Sequence, residues 1–450
     1  FIINTSVGEA EREVNTFAQR LNYKKKLFKD KLNLRYHGVL SLAKSQTRDS
    51  TTSIFNWRGE RLLTPNNSGS EIFSIPTLRE GRDLGTAHRF NAGYSLRENV
   101  VFTISDFYSY SRIKGDDPVG IRLDIDGQSL DPNTIPSRLN RNIFGAELKT
   151  ELFKEKITAI AFYKNYDYKA ESIDILQVNA TLLPVREVQD NNNGYGFALK
   201  YQMSPKFFIR SSFEKAIRIP NENEVFGDFG AILPNFTLRP ENSNNLNLGV
   251  SFESQVGNDK FISLKVDGFL RDQEDLIRLD QFGPENSRFI NEDQVDGMGI
   301  EVSTRMIPWN NLRLSGNFTY QSNEIGSNGD LASEGSIGVQ VPNIPRLFYN
   351  VGANYTFNNL FGSSNSLDVF WTYFFTDRFS INEVQDLDTA NPDFIIPEQN
   401  IHNAGLTYVL DGKGLSFSLN IQNVFDAEIF DNFRIPRPGV NYAFKINYSL

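Results

Sequence analysis

The sequence predicts an all-β chain folded as an antiparallel transmembrane β-barrel, and three observations carry that prediction. Apolar and polar residues alternate with period two over long stretches. Short and long connections between those stretches alternate along the chain. Aromatic residues make up 13% of the sequence (37 Phe, 17 Tyr, 3 Trp), although the mean hydropathy is only −0.39. Aromatic side chains favour strands, and low mean hydropathy beside them implies faces that alternate rather than solid apolar segments.

The alternation is clearest toward the C-terminus. From Leu415 to Ile421 every odd position is apolar and every even one polar. Tyr442, Phe444, Ile446, Tyr448 and Leu450 form one face of the last segment, opposite Ala443, Lys445, Asn447 and Ser449. Leu312, Leu314, Gly316, Phe318 and Tyr320 alternate with Arg313, Ser315, Asn317, Thr319 and Gln321. The runs Tyr195–Met203 and Ile262–Leu270 behave alike. Successive strand side chains point to opposite faces, so period two means one apolar and one polar face.

Turn residues then delimit seventeen strands. The first nine fall near 11–28, 31–47, 87–97, 99–113, 142–152, 156–174, 193–203, 206–218 and 244–255. The other eight fall near 260–280, 295–306, 311–324, 346–357, 366–380, 400–410, 413–425 and 438–450. Short turns such as Lys29-Asp30, Ser204-Pro205 and Asp411-Gly412 alternate with long loops near 48–86, 114–141, 175–192, 219–243, 281–294, 325–345, 381–399 and 426–437. A soluble sandwich or solenoid has no reason to gather every long loop at one end. A membrane barrel does, with tight turns on one side and long loops on the other. Segments such as 156–174 and 260–280 exceed the roughly 9–11 residues that cross a bilayer, so they should project beyond its outer surface. Aromatics near strand ends, such as Trp371 and Tyr373, fit an interfacial girdle.

Composition excludes several functions. The net charge is −9, which argues against nucleic acid as a partner. With no cysteine there is no disulfide framework, thiolate metal site or cysteine nucleophile. His37, His88 and His402 lie far apart, without metal-ligand spacing. Neither a Gly-x-Ser-x-Gly elbow nor a phosphate-cradling glycine loop is present. We therefore expect no catalytic residues, no metal and no cofactor. The chain begins at Phe1 without a charged and apolar leader, and an odd strand number leaves a barrel incomplete. Both features predict that strands on the N-terminal side lie outside this sequence.

Two stretches resemble the TonB-dependent outer-membrane receptors. The first runs through Arg218, Pro220, Glu222 and Glu224, then Asn235, Leu238, Pro240 and Glu241, and is similar to the family's Arg-x-Pro and Leu-x-Pro-Glu barrel motif. The second includes Asn423, Phe425 and Asp426, then Pro438 and Gly439, and is similar to the family's closing pattern. Val440 stands where the family usually has Arg, and Leu450 where such barrels usually end in Phe.

The resemblance implies a barrel of about 22 strands around a plug, of which this chain supplies the C-terminal portion without the plug. It further implies placement in the outer membrane of a Gram-negative bacterium, in contact with outer-membrane lipid. The expected function is active transport of a scarce large solute, a ferric siderophore first. The TonB complex would act as partner through the plug. Cobalamin, oligosaccharide or peptide import, or a passive porin, are the alternatives. Loop aromatics are the expected ligand contacts: Phe55, Trp57, Phe226, Phe229, Phe236, Phe282, Phe394 and Phe430. Loops 219–243 and 281–294, seventh and eighth by this count, are the expected lid.

Overall fold

The computed structural model describes residues 5–7, 10–49, 53–55, 61–63, 77–116, 123–125, 128–130, 135–173, 185–227, 232–257, 260–281, 287–326, 337–360, 365–410, 413–431 and 436–448. Seventeen strands form one continuous antiparallel meander. The first eight are β1 (Ala10–Leu27), β2 (Leu32–Asp49), β3 (Thr77–Arg97), β4 (Val100–Asp116), β5 (Ser137–Leu152), β6 (Ile157–Ile173), β7 (Val185–Ser204) and β8 (Phe207–Arg218). They are followed by β9 (Glu241–Val256), β10 (Lys260–Gln281), β11 (Ser287–Trp309), β12 (Leu312–Ile325) and β13 (Leu347–Asn358). The last four are β14 (Ser366–Thr376), β15 (Gln399–Leu410), β16 (Leu415–Gln422) and β17 (Asn441–Tyr448). Each pairs with its sequence neighbours; among the described residues β1 pairs only with β2, and β17 only with β16.

Every strand expected from the alternation is present, but several boundaries are corrected. β3 begins at Thr77 rather than 87, β5 at Ser137 rather than 142, β7 at Val185 rather than 193, and β11 at Ser287 rather than 295. All four extensions lie at the long-loop end. Beyond the bilayer both faces meet water, so the apolar signal fades while the hydrogen-bond ladder continues. In the other direction, β14 stops at Thr376 and β16 at Gln422, short of the expected 380 and 425.

The tight turns confirm the polarity. Phe28-Lys29-Asp30 and Phe153-Lys154-Glu155 all have positive φ, and Lys31 and Lys156 donate back to the Phe28 and Phe153 carbonyls at 3.3 and 3.4 Å. Positive φ at both central positions gives the turn a twist that matches its flanking strands.

Register assigns the two faces. Lys164 and Glu214 pair at 2.9 Å, and Arg210 bonds Asp267, all on the polar, lumen-facing parity. The other parity exposes Phe17, Leu21, Leu148, Tyr195, Phe197, Leu248, Leu270 and Ile300. Such an apolar outer band has its place against lipid. Among the described residues, buried cores lie at the long-loop end, where loop residues pack on the strands. Leu139, Tyr168, Ala170, Val225, Phe226 and Phe236 form the largest, and Val295, Ile325 and Val341 a second.

Candidate functional site

The motif between β8 and β9 folds into a compact knot on the upper lumen wall. β8 ends at Arg218, and Pro220 lacks the N–H that a further ladder bond would require. Asn221 caps the short helix α1 (Glu222–Phe226): its Oδ1 accepts from Glu224 N at 3.1 Å, and its own N donates to Glu224 Oε2 at 2.8 Å. This reciprocal capping satisfies two amides that the helix cannot bond internally. Gly227 ends the helix at φ 71°, a left-handed conformation that favours glycine. Ile232–Leu233 then pairs in parallel with Ser287–Arg288 of β11.

Charge and hydrogen bonds lock the knot. Arg218 Nη1 donates to Glu224 Oε1 at 2.8 Å, and Nη2 donates to Glu241 Oε1 at 2.7 Å. The same Glu241 oxygen accepts from Ile277 N at 2.8 Å. Both carboxylates are buried, so the guanidinium fork is what makes their burial tolerable. Asn235 Nδ2 donates to the Phe289 carbonyl at 2.7 Å, while its Oδ1 accepts from Thr237 N at 3.0 Å. Leu238 and Pro240 are buried beside it. Glu222 turns outward from the knot to Arg141 of β5 at 3.0 Å.

Partners that the motif pattern did not reveal complete this wall. Arg239 Nε donates to Asp275 Oδ1 at 2.8 Å, and Asn291 Nδ2 bonds the Arg239 and Asp275 carbonyls. Asp275 has φ 58°, and the β10–β11 register is the same on both sides of it, Glu274 facing Gln294 and Leu276 facing Glu292. Two residues further on, Ile277 N reaches Glu241. The sequence marks this stretch by the polar run Arg271-Asp272-Gln273-Glu274-Asp275 inside an otherwise alternating segment.

A second hub joins loops distant in sequence. Arg278 bonds Glu292 at 2.8 Å, Asp280 at 2.9 Å and Glu383 at 2.6 Å, the last from the β14–β15 connection. In that connection Arg378 bonds Asp388 at 2.6 Å, which holds the guanidinium above its ordinary range.

The C-terminal motif clamps the last hairpin. Asn423 is buried with φ 51°; its Nδ2 donates to the Ala427 carbonyl at 2.8 Å, and its Oδ1 accepts from Ala427 N at 2.9 Å. Asp426 Oδ1 accepts from Val440 N at 2.9 Å, tying the start of β17 to the end of β16. A Cβ on Gly439 would collide with that carboxylate. Pro438 is exposed, and Phe425 is 72% exposed against the His402 ring, 4.9 Å between centroids.

The loop aromatics divide differently from the expectation. Phe226 and Phe236 were expected as outer ligand contacts, but they are 4% and 6% exposed and pack on each other at 6.1 Å. Their area is consumed by the knot. Phe394 and Phe430 pack against Phe379, Ile381 and Ile396 in a third small core. The backbone of Phe55 lies in a short strand opposite Thr5. Trp57, Phe229 and Phe282 lie outside the described residues. The described part of loop 219–243 is pinned to the wall by Arg218 and Asn235.

The histidines are dispersed. His37 Nδ1 meets Asn22 Oδ1 at 2.6 Å, while His88 and His402 stack among aromatics on the outer face. Among the described residues no three His, Asp or Glu side chains gather as a metal site.

The fold and its loop-end knot define an outer-membrane type of β-barrel. The family model "TonB dependent receptor-like, beta-barrel" matches residues 8–424, and the chain belongs to that family. Similar solved structures include the copper transporter OprC, at 14% identity and TM-score 0.70, with 98% of this chain and 66% of that one covered. The FrpB iron transporter from Neisseria meningitidis is 13% identical at TM-score 0.67, with coverages of 97% and 63%. BauA, the ferric preacinetobactin receptor from Acinetobacter baumannii, is 16% identical at TM-score 0.64, with coverages of 98% and 63%. The chain therefore spans about two thirds or less of their length. No curated protein sequence matches it.

Proposed function

We propose that this chain is the C-terminal part of the barrel of an energised import receptor in the outer membrane of a Gram-negative bacterium. Its seventeen strands would belong to a barrel of about 22 around a plug. The plug would pass force from the TonB complex, and the cargo would be a ferric siderophore. The observation that carries the reading is the anchoring of two loop segments to the wall at the long-loop end, the first by Arg218 and Asn235 and the second by Arg278. A passive pore has no need for a mouth built up by buried ion pairs. A receptor needs a rigid rim on which a ligand site can be placed. The names of the similar structures, two iron and one copper, favour a metal chelate over cobalamin, oligosaccharide or peptide.

The test is uptake of a panel of ferric siderophores by an iron-starved strain carrying the full-length gene or its deletion, with and without a proton-motive-force uncoupler. Gene-dependent, uncoupler-sensitive accumulation of at least one chelate supports the proposal. Gene-dependent but uncoupler-resistant entry of small solutes would point to a passive pore. Energised uptake of a non-iron nutrient alone would correct the cargo.

A further inference from the structure

Asp106 stands on the outward face of β2–β5 among apolar and aromatic side chains. It lies in register between Phe90 of β3 and Phe144 of β5, with Ile104 and Tyr108 before and after it on its own face of β4; all four are exposed. Asp106 is six residues beyond Val100, where β4 begins. At about 3.3 Å per residue and a tilt of about 40°, that is roughly 15 Å above the turns, inside an apolar band about 25 Å tall. Within four residues along β2, β3, β4 and β5, no lysine, arginine or second carboxylate shares this face. Asn142 Nδ2 donates to Asp106 Oδ1 at 3.1 Å. A carboxylate that faces hydrocarbon with one amide for company is costly, and such a residue marks a functional contact.

A platform of rings stands beside it. His88 of β3 faces Tyr108 in register, and Tyr36 reaches across from β2 to bring its hydroxyl within 2.8 Å of His88 Nδ1. The Tyr36, His88 and Tyr108 rings follow one another at 6.1 and 6.4 Å, with planes 27° and 21° apart. Gly38 permits this, because a Cβ there would collide with the Tyr36 hydroxyl. With Tyr36 donating to Nδ1, the proton of a neutral His88 is on Nε2. Among the described residues neither Nε2 nor Asp106 Oδ2 has a hydrogen-bond partner, so a donor and an acceptor face lipid. Lipid chains satisfy neither.

Register sets where these two groups stand. Leu32, Tyr94, Phe102 and Leu148 form one row; Leu32 adjoins the first tight turn, while Leu148 is four residues above Leu152, where β5 ends. Rows therefore climb from β2 toward β5, by about 3 Å per strand at this tilt. Asp106 is one strand on from Phe90, and His88 two residues above Phe90. The two groups thus stand within about 2 Å of the same height and about 8 Å apart around the barrel, with Phe90 and Tyr108 on the vertical line between them. A two-fold axis along the membrane normal keeps two copies upright and presents the same patch on each. Placed on that line, it sets His88 of each copy against Asp106 of the other, so the patch is complementary to itself.

We propose that this face pairs two copies of the protein within the membrane, His88 of one bonding Asp106 of the other about a two-fold axis, with Phe90 and Tyr108 at its centre. The inference rests on the membrane-barrel reading and is independent of the cargo.

The test is disulfide cross-linking in native outer membranes. The full-length protein carries Phe90→Cys, or as control Phe197→Cys, an exposed position on β7 away from the patch. This sequence has no cysteine of its own, and any beyond it is replaced by serine. Phe90→Cys should give a species of twice the monomer mass, and Phe197→Cys should not. Adding Asp106→Asn should lower the yield about tenfold, and exchanging the pair, His88→Asp with Asp106→His, should restore it. Heat-modifiable migration on gels establishes that each variant is folded; should the exchange misfold, Asp106→Asn decides. No dimer from Phe90→Cys, an equal yield from Phe197→Cys, or a yield unchanged by Asp106→Asn overturns the pairing. A folded exchange variant that fails to recover overturns the His88–Asp106 bond, and an adduct of any other mass overturns the second copy as occupant. Recovery of the wild-type protein outside the outer-membrane fraction would instead overturn the barrel's placement.

Discussion

Arg218 closes β8 and Glu241 opens β9; the two are register partners, and Nη2 meets Oε1 at 2.7 Å although they lie 23 residues apart. Between them the chain forms the knot and returns. Glu224, from inside that excursion, takes the other branch of the guanidinium. One cation thus holds both ends and the middle of the segment.

Arg218→Met is expected to destabilise the barrel by about 3–5 kcal/mol, because it strands two buried carboxylates without a counter-charge. Arg218→Lys keeps the charge but loses the fork, and should fall between. The urea midpoint of the refolded protein checks both; an unchanged midpoint for Arg218→Met would refute the role assigned to this ion group.

Asn235→Ala removes the donor to the Phe289 carbonyl and the acceptor for Thr237 N. A loss of roughly 1–3 kcal/mol follows for the buried groups left unpaired. Hydrogen exchange should rise at residues 232–237 and 287–289 and leave the β13–β16 ladder unchanged. A uniform rise across the barrel would mean that Asn235 is not a local clamp.

Arg278→Ala should loosen the β14–β15 connection, since the bond from Arg278 to Glu383 is lost while Asp280 and Glu292 are left to repel each other. The expected sign is faster amide exchange across 379–396, with strand protection little changed below β10's outer end. Exchange in that segment equal to the wild type would show that the Arg278–Glu383 bridge does not hold it.

Asp426→Ala takes the acceptor from Val440 N and leaves the entry to β17 untied. We expect lower yield of heat-modifiable barrel in the outer membrane. Asp426→Asn, which keeps an oxygen at that position, should recover much of it. Equal yields for Ala and wild type would remove Asp426 from assembly.

The strands were legible because two solvents read the same chain. Lipid outside and polar surroundings inside impose period two on β12 and β16 almost residue by residue. The same signal failed at Thr77–Ala87 and Ser287–Val295, where the ladder rises into water and neither face need be apolar. Phe226 and Phe236 illustrate a different limit: aromatic residues in a loop read as surface contacts until packing on Tyr168 and Leu139 is known.

The sequence by itself determined the strand count, the alternation of turns and loops, and the family motif from Arg218 to Glu241, since each depends on neighbours close along the chain. Only the tertiary structure decided that Arg278 reaches Glu383 and that Glu241 receives both Arg218 and the amide of Ile277. Those facts depend on which strand positions face one another, and register is a property of paired strands that no single strand carries.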